Sequence, residues 1–222
     1  MRDIYDKLFK AYGKQGWWPL SKGSLETKHH NGNPSSDSDR FEIIVGAILT
    51  QNTSWTNVEK AIYNLNKVKM LDAKKTVKAD VKNIALLIKP AGYYNQKAAR
   101  LKIVADYFLK NKGVFNKNAK ELRKELLKVN GIGPKTADSI VLYAFEKPSF
   151  VVDAYTRRIF SRLGHCRDNG KYEDIRTMFE SKLPLDVNLF KEYHALIVEH
   201  AKRHCKKKSL CDGCILRKKC RN

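Results

Sequence analysis

Four of the five cysteines, Cys205, Cys211, Cys214 and Cys220, crowd into the last 18 residues as C-x5-C-x2-C-x5-C. Thiolates so close in sequence can close one metal site, and the spacing alone admits zinc or an iron–sulfur cluster. Disulfides fit less well, because the N-terminus MRDIYDKLFKAYGK has neither an uninterrupted apolar core nor a cleavage-site pattern. Cys166 stands apart and reads as a lone thiol. A second constellation is LLKVNGIGPKTAD at 126–138. Here an amphipathic helix stops at Asn130-Gly131, a short turn follows, and a second helix starts near Pro134. Gly131 and Gly133 let backbone amides approach a partner, and the next helix offers its unpaired N–H groups, a combination that holds a phosphate without reading a base. An ordinary helical hairpin has the same punctuation, so this stretch alone leaves both readings open. Third, Asp153 closes the apolar run PSFVV and precedes a helix bearing Arg157 and Arg158. A carboxylate in that place is a buried acid, a helix N-cap, or both.

The charge balance narrows the partner. Across 222 residues, 44 Lys and Arg against 23 Asp and Glu leave a net charge of +21. A field of that sign attracts polyanions, of which nucleic acid is the commonest inside a cell. A general lysine bias would raise Glu as well, and Glu has not kept pace. The longest apolar run, IIVGAIL at 43–49, is too short to cross a bilayer. The expectation is an intracellular protein with no membrane partner.

The elements that must position these groups are helical. Ile4, Leu8, Phe9 and Tyr12 have helical spacing, and further helices are expected at 41–51, 54–67, 96–111, 118–128, 135–146, 154–163, 171–182 and 187–204. A lysine-rich helical stretch continues to about 89. Strand alternation with hairpin turns is absent, which makes the chain all-α. Residues 20–40 are polar, rich in Gly, Ser, Asn and Asp, and aperiodic, so they read as an exposed, mobile insertion in which His29 and His30 are solvated.

The hairpin, with Asp153 eighteen residues after Lys135, resembles the helix-hairpin-helix DNA glycosylase superfamily. The likeness runs over nearly the whole chain apart from 20–40. It implies the HhH-GPD fold: two all-α lobes with a DNA-binding cleft between them. The expected divisions are 1–40; 41–150, with the hairpin at about 121–146; and 151–222, with the cluster loop at 205–220. The first division's N-terminal helix would join the last lobe. The cysteine array after the last helix resembles the endonuclease III branch, where it ligates a [4Fe–4S] cluster, with zinc the alternative. That branch usually has six residues between the first two cysteines and this chain has five, which changes a loop length and leaves the ligand count intact.

The same resemblance assigns roles. Asp153 becomes the catalytic carboxylate. ILTQNTSW at 48–55 would place Gln51 in the space left by a base rotated out of double-stranded DNA, with Tyr93 wedging beside it. WWP at 17–19 and QNTSW at 51–55 look like the endonuclease III-type 3-methyladenine glycosylases, in which Trp18 and Trp55 would sandwich the base and Trp17 would pack beneath. Electron-rich indole faces suit a flat, positively charged alkylpurine. Arg157, one helical turn beyond Asp153, would contact phosphate or form a salt bridge in the core. Lys135 aligns with the nucleophile of endonuclease III itself, which forms a Schiff base and then cleaves the strand; it is that nucleophile or a phosphate contact, and as nucleophile it implies a different chemistry from the aromatic pair. The implied protein acts as a monomer. A DNA-binding module without activity would share the hairpin, the cysteines and the charge, and would need neither Asp153 nor the aromatic pair.

Overall fold

A computed structural model describes residues 1–29 and 33–221; His30 lies outside the described residues. Among the described residues eleven α-helices follow in order: α1 Arg2–Tyr12, α2 Asp37–Leu49, α3 Trp55–Lys67, α4 Ala73–Lys78, α5 Val81–Leu87, α6 Tyr94–Lys110, α7 Ala119–Leu126, α8 Pro134–Ser139, α9 Ala154–Arg162, α10 Tyr172–Lys182 and α11 Val187–Arg203. No strand occurs among the described residues beyond an isolated bridge between Leu20 and Lys28. Local chemistry accounts for many of the helix starts. Ser36, Asp72, Asp80, Asn118, Asp153 and Asp186 each cap a helix by accepting a backbone N–H of its first turn. Pro134 opens α8 with a preset φ and no amide left orphaned. The lysine-rich stretch resolves into two short helices, broken where Asp80 starts a new one.

The chain divides into two compact units, Trp18–Lys147 and Met1–Trp17 with the chain from Pro148 onward. In the first, α2 is central: every residue from Phe41 to Leu49 is buried, as expected for a helix apolar on all sides. It packs on α3, α6, α8 and the turn that follows α8. Gly46 lets the Trp18 ring come close, since a Cβ there would sit 2.9 Å from it. After α8 the backbone widens into a π-helical turn, Ile140–Ala144, where a continuous helix to 146 was expected. In the second unit α1 and α9 both pack on α11. Its core is aromatic, with Phe150 stacked on Phe179 at 3.9 Å and Phe160 edge-on to Phe179 at 4.6 Å. The Tyr193 hydroxyl donates to the Met1 carbonyl at 2.9 Å, fastening α1 to α11.

The described residues of the 20–40 segment are mostly exposed, as expected, yet several of them are anchored. Leu20 and Lys28 exchange two backbone hydrogen bonds, of 3.1 and 2.9 Å. Glu42 of α2, buried, accepts from the Ser21 amide at 2.8 Å and its hydroxyl at 2.6 Å, and burial pushes its carboxyl above the usual range. Asn66 donates to the Ser24 carbonyl at 2.6 Å, and Pro34 is buried. The anchors lie outside the segment and on residues that read as solvent-facing, so a local reading misses them. His29 is exposed, as expected.

Candidate active site

In the unit Trp18–Lys147, α7 and α8 form the two arms of the hairpin. Gly131 in its turn has φ +91°, and a Cβ there would lie 2.5 Å from the Arg100 side chain, so only glycine fits without strain. Gly133, the residue before α8, is exposed and surrounded by open space. The arms are joined by a buried ion pair: Arg123 reaches both carboxylate oxygens of Asp138 at 2.7 and 3.3 Å, and Asp138 is wholly buried. Lys135 stands in the first turn of α8, half-buried, with its carbonyl accepting from the Ser139 hydroxyl at 2.9 Å.

Gln51 is tied to this hairpin. Its Nε2 donates to the Gly131 carbonyl at 3.0 Å and to the Thr136 hydroxyl at 3.1 Å, and its Oε1 accepts from Arg100 at 2.6 Å. Tyr93 precedes α6 with its side chain out in solvent, 67% exposed, and its backbone left-handed at φ +47°. Tyrosine rarely adopts that backbone, which is the kind of local strain found at functional turns. A side chain so exposed is no part of the core.

The aromatic pair differs from a sandwich. Trp18 is buried and meets Trp55 edge to face, centroids 5.3 Å apart at 89°. A base between two parallel faces needs roughly 7–8 Å, twice the contact distance of carbon atoms, so no base fits between the rings as they stand. Trp18 also meets the buried Tyr143 ring at 5.2 Å, and Tyr143 was not singled out from the sequence. Trp17 is half-buried in the other unit.

In that other unit Asp153 does cap α9: its Oδ1 accepts from the Thr156 amide at 2.8 Å and hydroxyl at 3.0 Å. Its Oδ2 lies 3.6 Å from Nε2 of His194, and both side chains are about one-tenth exposed or less. His194 was missed because it sits inside a helix whose neighbours are nearly all buried, with no motif around it. Arg157, expected on phosphate or in a core salt bridge, donates to the Gly170 carbonyl and so secures the loop after α9.

Cys205, Cys211, Cys214 and Cys220 line one cavity with Ile159, Leu163 and Leu216. Burial raises the Cys214 and Cys220 thiols above their usual range, and the neighbouring cysteines push the same way. Arg162 donates to Cys205 Sγ at 3.1 Å, and His200 Nε2 lies 3.6 Å from Cys214 Sγ. Burial holds His200 down to about 4, with His204 adding to the effect, so it is neutral at pH 7. Among the described residues no three His, Cys, Asp or Glu side chains are gathered tightly enough for a single metal ion. Four sulfurs lining one cavity are a donor set for a metal centre, either zinc or an iron–sulfur cluster. No helix among the described residues is long and apolar enough to cross a membrane.

Residues 45–185 match the family model described as HhH-GPD superfamily base excision DNA repair protein. A protein of Methanocaldococcus jannaschii named as a DNA repair glycosylase is 48% identical over 98% of this chain and 94% of its own length. Endonuclease III of Sulfolobus acidocaldarius is 32% identical over 82% and 81%. Among solved structures, the 3-methyladenine DNA glycosylase of H. pylori, bound to 1,N6-ethenoadenine, is similar with a TM-score of 0.71 and 27% identity, covering 90% of this chain and 96% of that one. A trapped endonuclease III–DNA covalent intermediate shares the fold with a TM-score of 0.78 at 23% identity, over 99% and 93%.

Proposed function

Because the chain belongs to the HhH-GPD superfamily of base excision DNA repair proteins, we propose that it removes an alkylated purine such as 3-methyladenine from double-stranded DNA. The observation that carries this reading is the cluster of three aromatic rings, Trp18 against both Trp55 and Tyr143. Electron-rich faces attract a flat cationic base and discriminate against its neutral parent. Trp55 is half-exposed and is the ring that would turn to stack on it. The likeness to the H. pylori enzyme supports the same choice.

Ionised Asp153 stabilises positive charge developing on the sugar as the N-glycosidic bond breaks and the electron pair leaves with the base. It then orients the attacking water and takes up its proton as oxygen bonds to C1′. Thr156 holds one carboxylate oxygen by two hydrogen bonds, which fixes the direction of the other. An alkylated purine is already a good leaving group, so little acid catalysis is required. Gln51 and Tyr93 fill and wedge the space that the base leaves, and the hairpin amides hold phosphate. Cys205, Cys211, Cys214 and Cys220 would hold a [4Fe–4S] cluster, which supplies a fixed shape to the C-terminal loop and no step of the reaction.

Lys135, at the first turn of α8, favours a second reading: a bifunctional glycosylase and lyase acting on oxidised pyrimidines, with the lysine amine attacking C1′. Two duplexes distinguish them, one carrying 3-methyladenine and one thymine glycol, each with and without borohydride. Free 3-methyladenine without a trapped adduct supports the first reading; an adduct and strand cleavage at thymine glycol supports the second. In either case Asp153→Asn lowers base release by about 10²–10⁴-fold. An unchanged rate in that variant would remove Asp153 from the mechanism, and tight binding of DNA with no base released from any lesion would leave only a binding module.

A further inference from the structure

Helix α6 carries a buried cation that the reaction above does not use. Lys97 is 1% exposed, on the same face as Ala98, Leu101 and Ala105. Its Nζ donates to the Leu49 carbonyl at 2.9 Å and to the Ala91 carbonyl at 2.8 Å. Each acceptor belongs to the end of an element, Leu49 to α2 and Ala91 to the 3-10 turn Lys89–Ala91, where carbonyls lack partners within the helix. Leu49 stands two residues before Gln51, and Ala91 two residues before Tyr93. Three residues further along α6, Arg100 holds Gln51 and lies against Gly131.

Placing an ammonium among apolar side chains forfeits its hydration, and a methionine would fill the same space without that loss. Burial lowers the Lys97 ammonium to about 8, with Arg100 pressing in the same direction, so it is still charged at neutral pH. The bonds it makes are specific: one cation joins the end of α2 to the turn that starts α6. That turn also contains the strained backbone of Tyr93, which persists only where the surroundings over-determine it.

We infer that Lys97 is a positioning residue, clamping the Leu49 and Ala91 carbonyls so that Gln51 and Tyr93 enter the duplex at one fixed spacing. The inference rests on reading those two residues as the inserting side chains. Two turns from different parts of the chain would otherwise shift independently, and bases stack only about 3.4 Å apart. A displacement of about 1 Å is enough to lose as much as 100-fold in rate.

The test uses a duplex with 2-aminopurine beside an abasic analogue, whose fluorescence rises when the neighbouring stack opens. Lys97→Met should bind undamaged duplex within about twofold of the wild type while losing most of that rise. Its base release at saturating enzyme should fall by about 10- to 100-fold. In a Tyr93→Ala background the same substitution should cost much less, because the turn it positions no longer carries a wedge. Lys97→Gln, which keeps an amide donor, should recover part of the signal and serves if Lys97→Met does not fold. A folded Lys97→Met with the full fluorescence rise overturns the proposal. So does equal loss of lesion and undamaged binding, and so does failure of both variants to fold, which would make Lys97 a core residue. If the wild type itself gives no rise, the reading of Gln51 and Tyr93 fails instead.

Discussion

The hairpin around Gly131 and the cysteine loop after α11 both carry candidate functional groups, yet they are held by different means. The hairpin is set by its own chain. Gln51 donates to the Gly131 carbonyl, Arg100 packs against Gly131, and the Arg123–Asp138 pair joins the two arms inside the core. The cysteine loop buries little: from Cys205 to Arg221 only Cys205 and Leu216 are buried. It hangs on carbonyls and one sulfur reached by Arg158 and Arg162, and burial, with the neighbouring cysteines, raises the Cys220 thiol. A surface proposed to meet a phosphate backbone is thus organised by packing, side-chain hydrogen bonds and a buried ion pair. The cysteine loop, on the proposal above, depends on the group its sulfurs would hold.

Removing the proposed cluster is the strongest way to break this contrast. With the proposed [4Fe–4S] cluster in place, chelating its iron should open the segment 204–221 to proteolysis, with new cleavage at Lys206, Lys207 and Lys208, while amide exchange in α7 and α8 stays unchanged. A loop equally resistant after iron loss would show that packing suffices there too. On the hairpin side, Asp138→Ala leaves the Arg123 charge without its buried carboxylate and should cost about 3–5 kcal/mol of unfolding free energy, read by urea denaturation.

Lys97 gives a pH signature confined to the same unit. Its folded-state value of about 8 lies below that of an unfolded lysine, near 10.5. The unfolded chain therefore binds the extra proton between those limits, and stability attributable to this group is present above about 10.5 and lost as pH falls through about 8. The wild type should gain up to about 3 kcal/mol relative to Lys97→Met on going from pH 7 to pH 10.5. Parallel stability curves for the two proteins would sink that prediction. The smallest effect belongs to Gly131→Ala. Its positive φ and the approach of Arg100 should cost about 1–3 kcal/mol and weaken binding of undamaged duplex, measured by anisotropy, without altering the iron content.

Much of the helical layout was legible beforehand, because amphipathic spacing and caps act locally. The helices at 54–67, 154–163, 171–182 and 187–204 are found within a residue or so of where the pattern puts them. The π-helical turn at Ile140–Ala144 was not legible, since a buried apolar run fits either geometry. Lys97 did leave a trace, a lysine among the apolar positions of α6, but only the fold shows that it spans the ends of two elements. Tyr143 and His194 left none.

Chemistry near in sequence was therefore determined by the sequence itself: an all-helical chain, a glycine hairpin, an aspartate that caps α9, four cysteines in one loop and a strongly basic charge. Tertiary structure alone decided that Glu42 ties down the 20–40 segment, that Arg157 serves a loop, and that Trp18 meets Trp55 edge to face. Each of these depends on groups far apart in the chain. Their pairing is set by which buried polar atoms and ring faces can satisfy one another once the core has closed, and no local pattern encodes that.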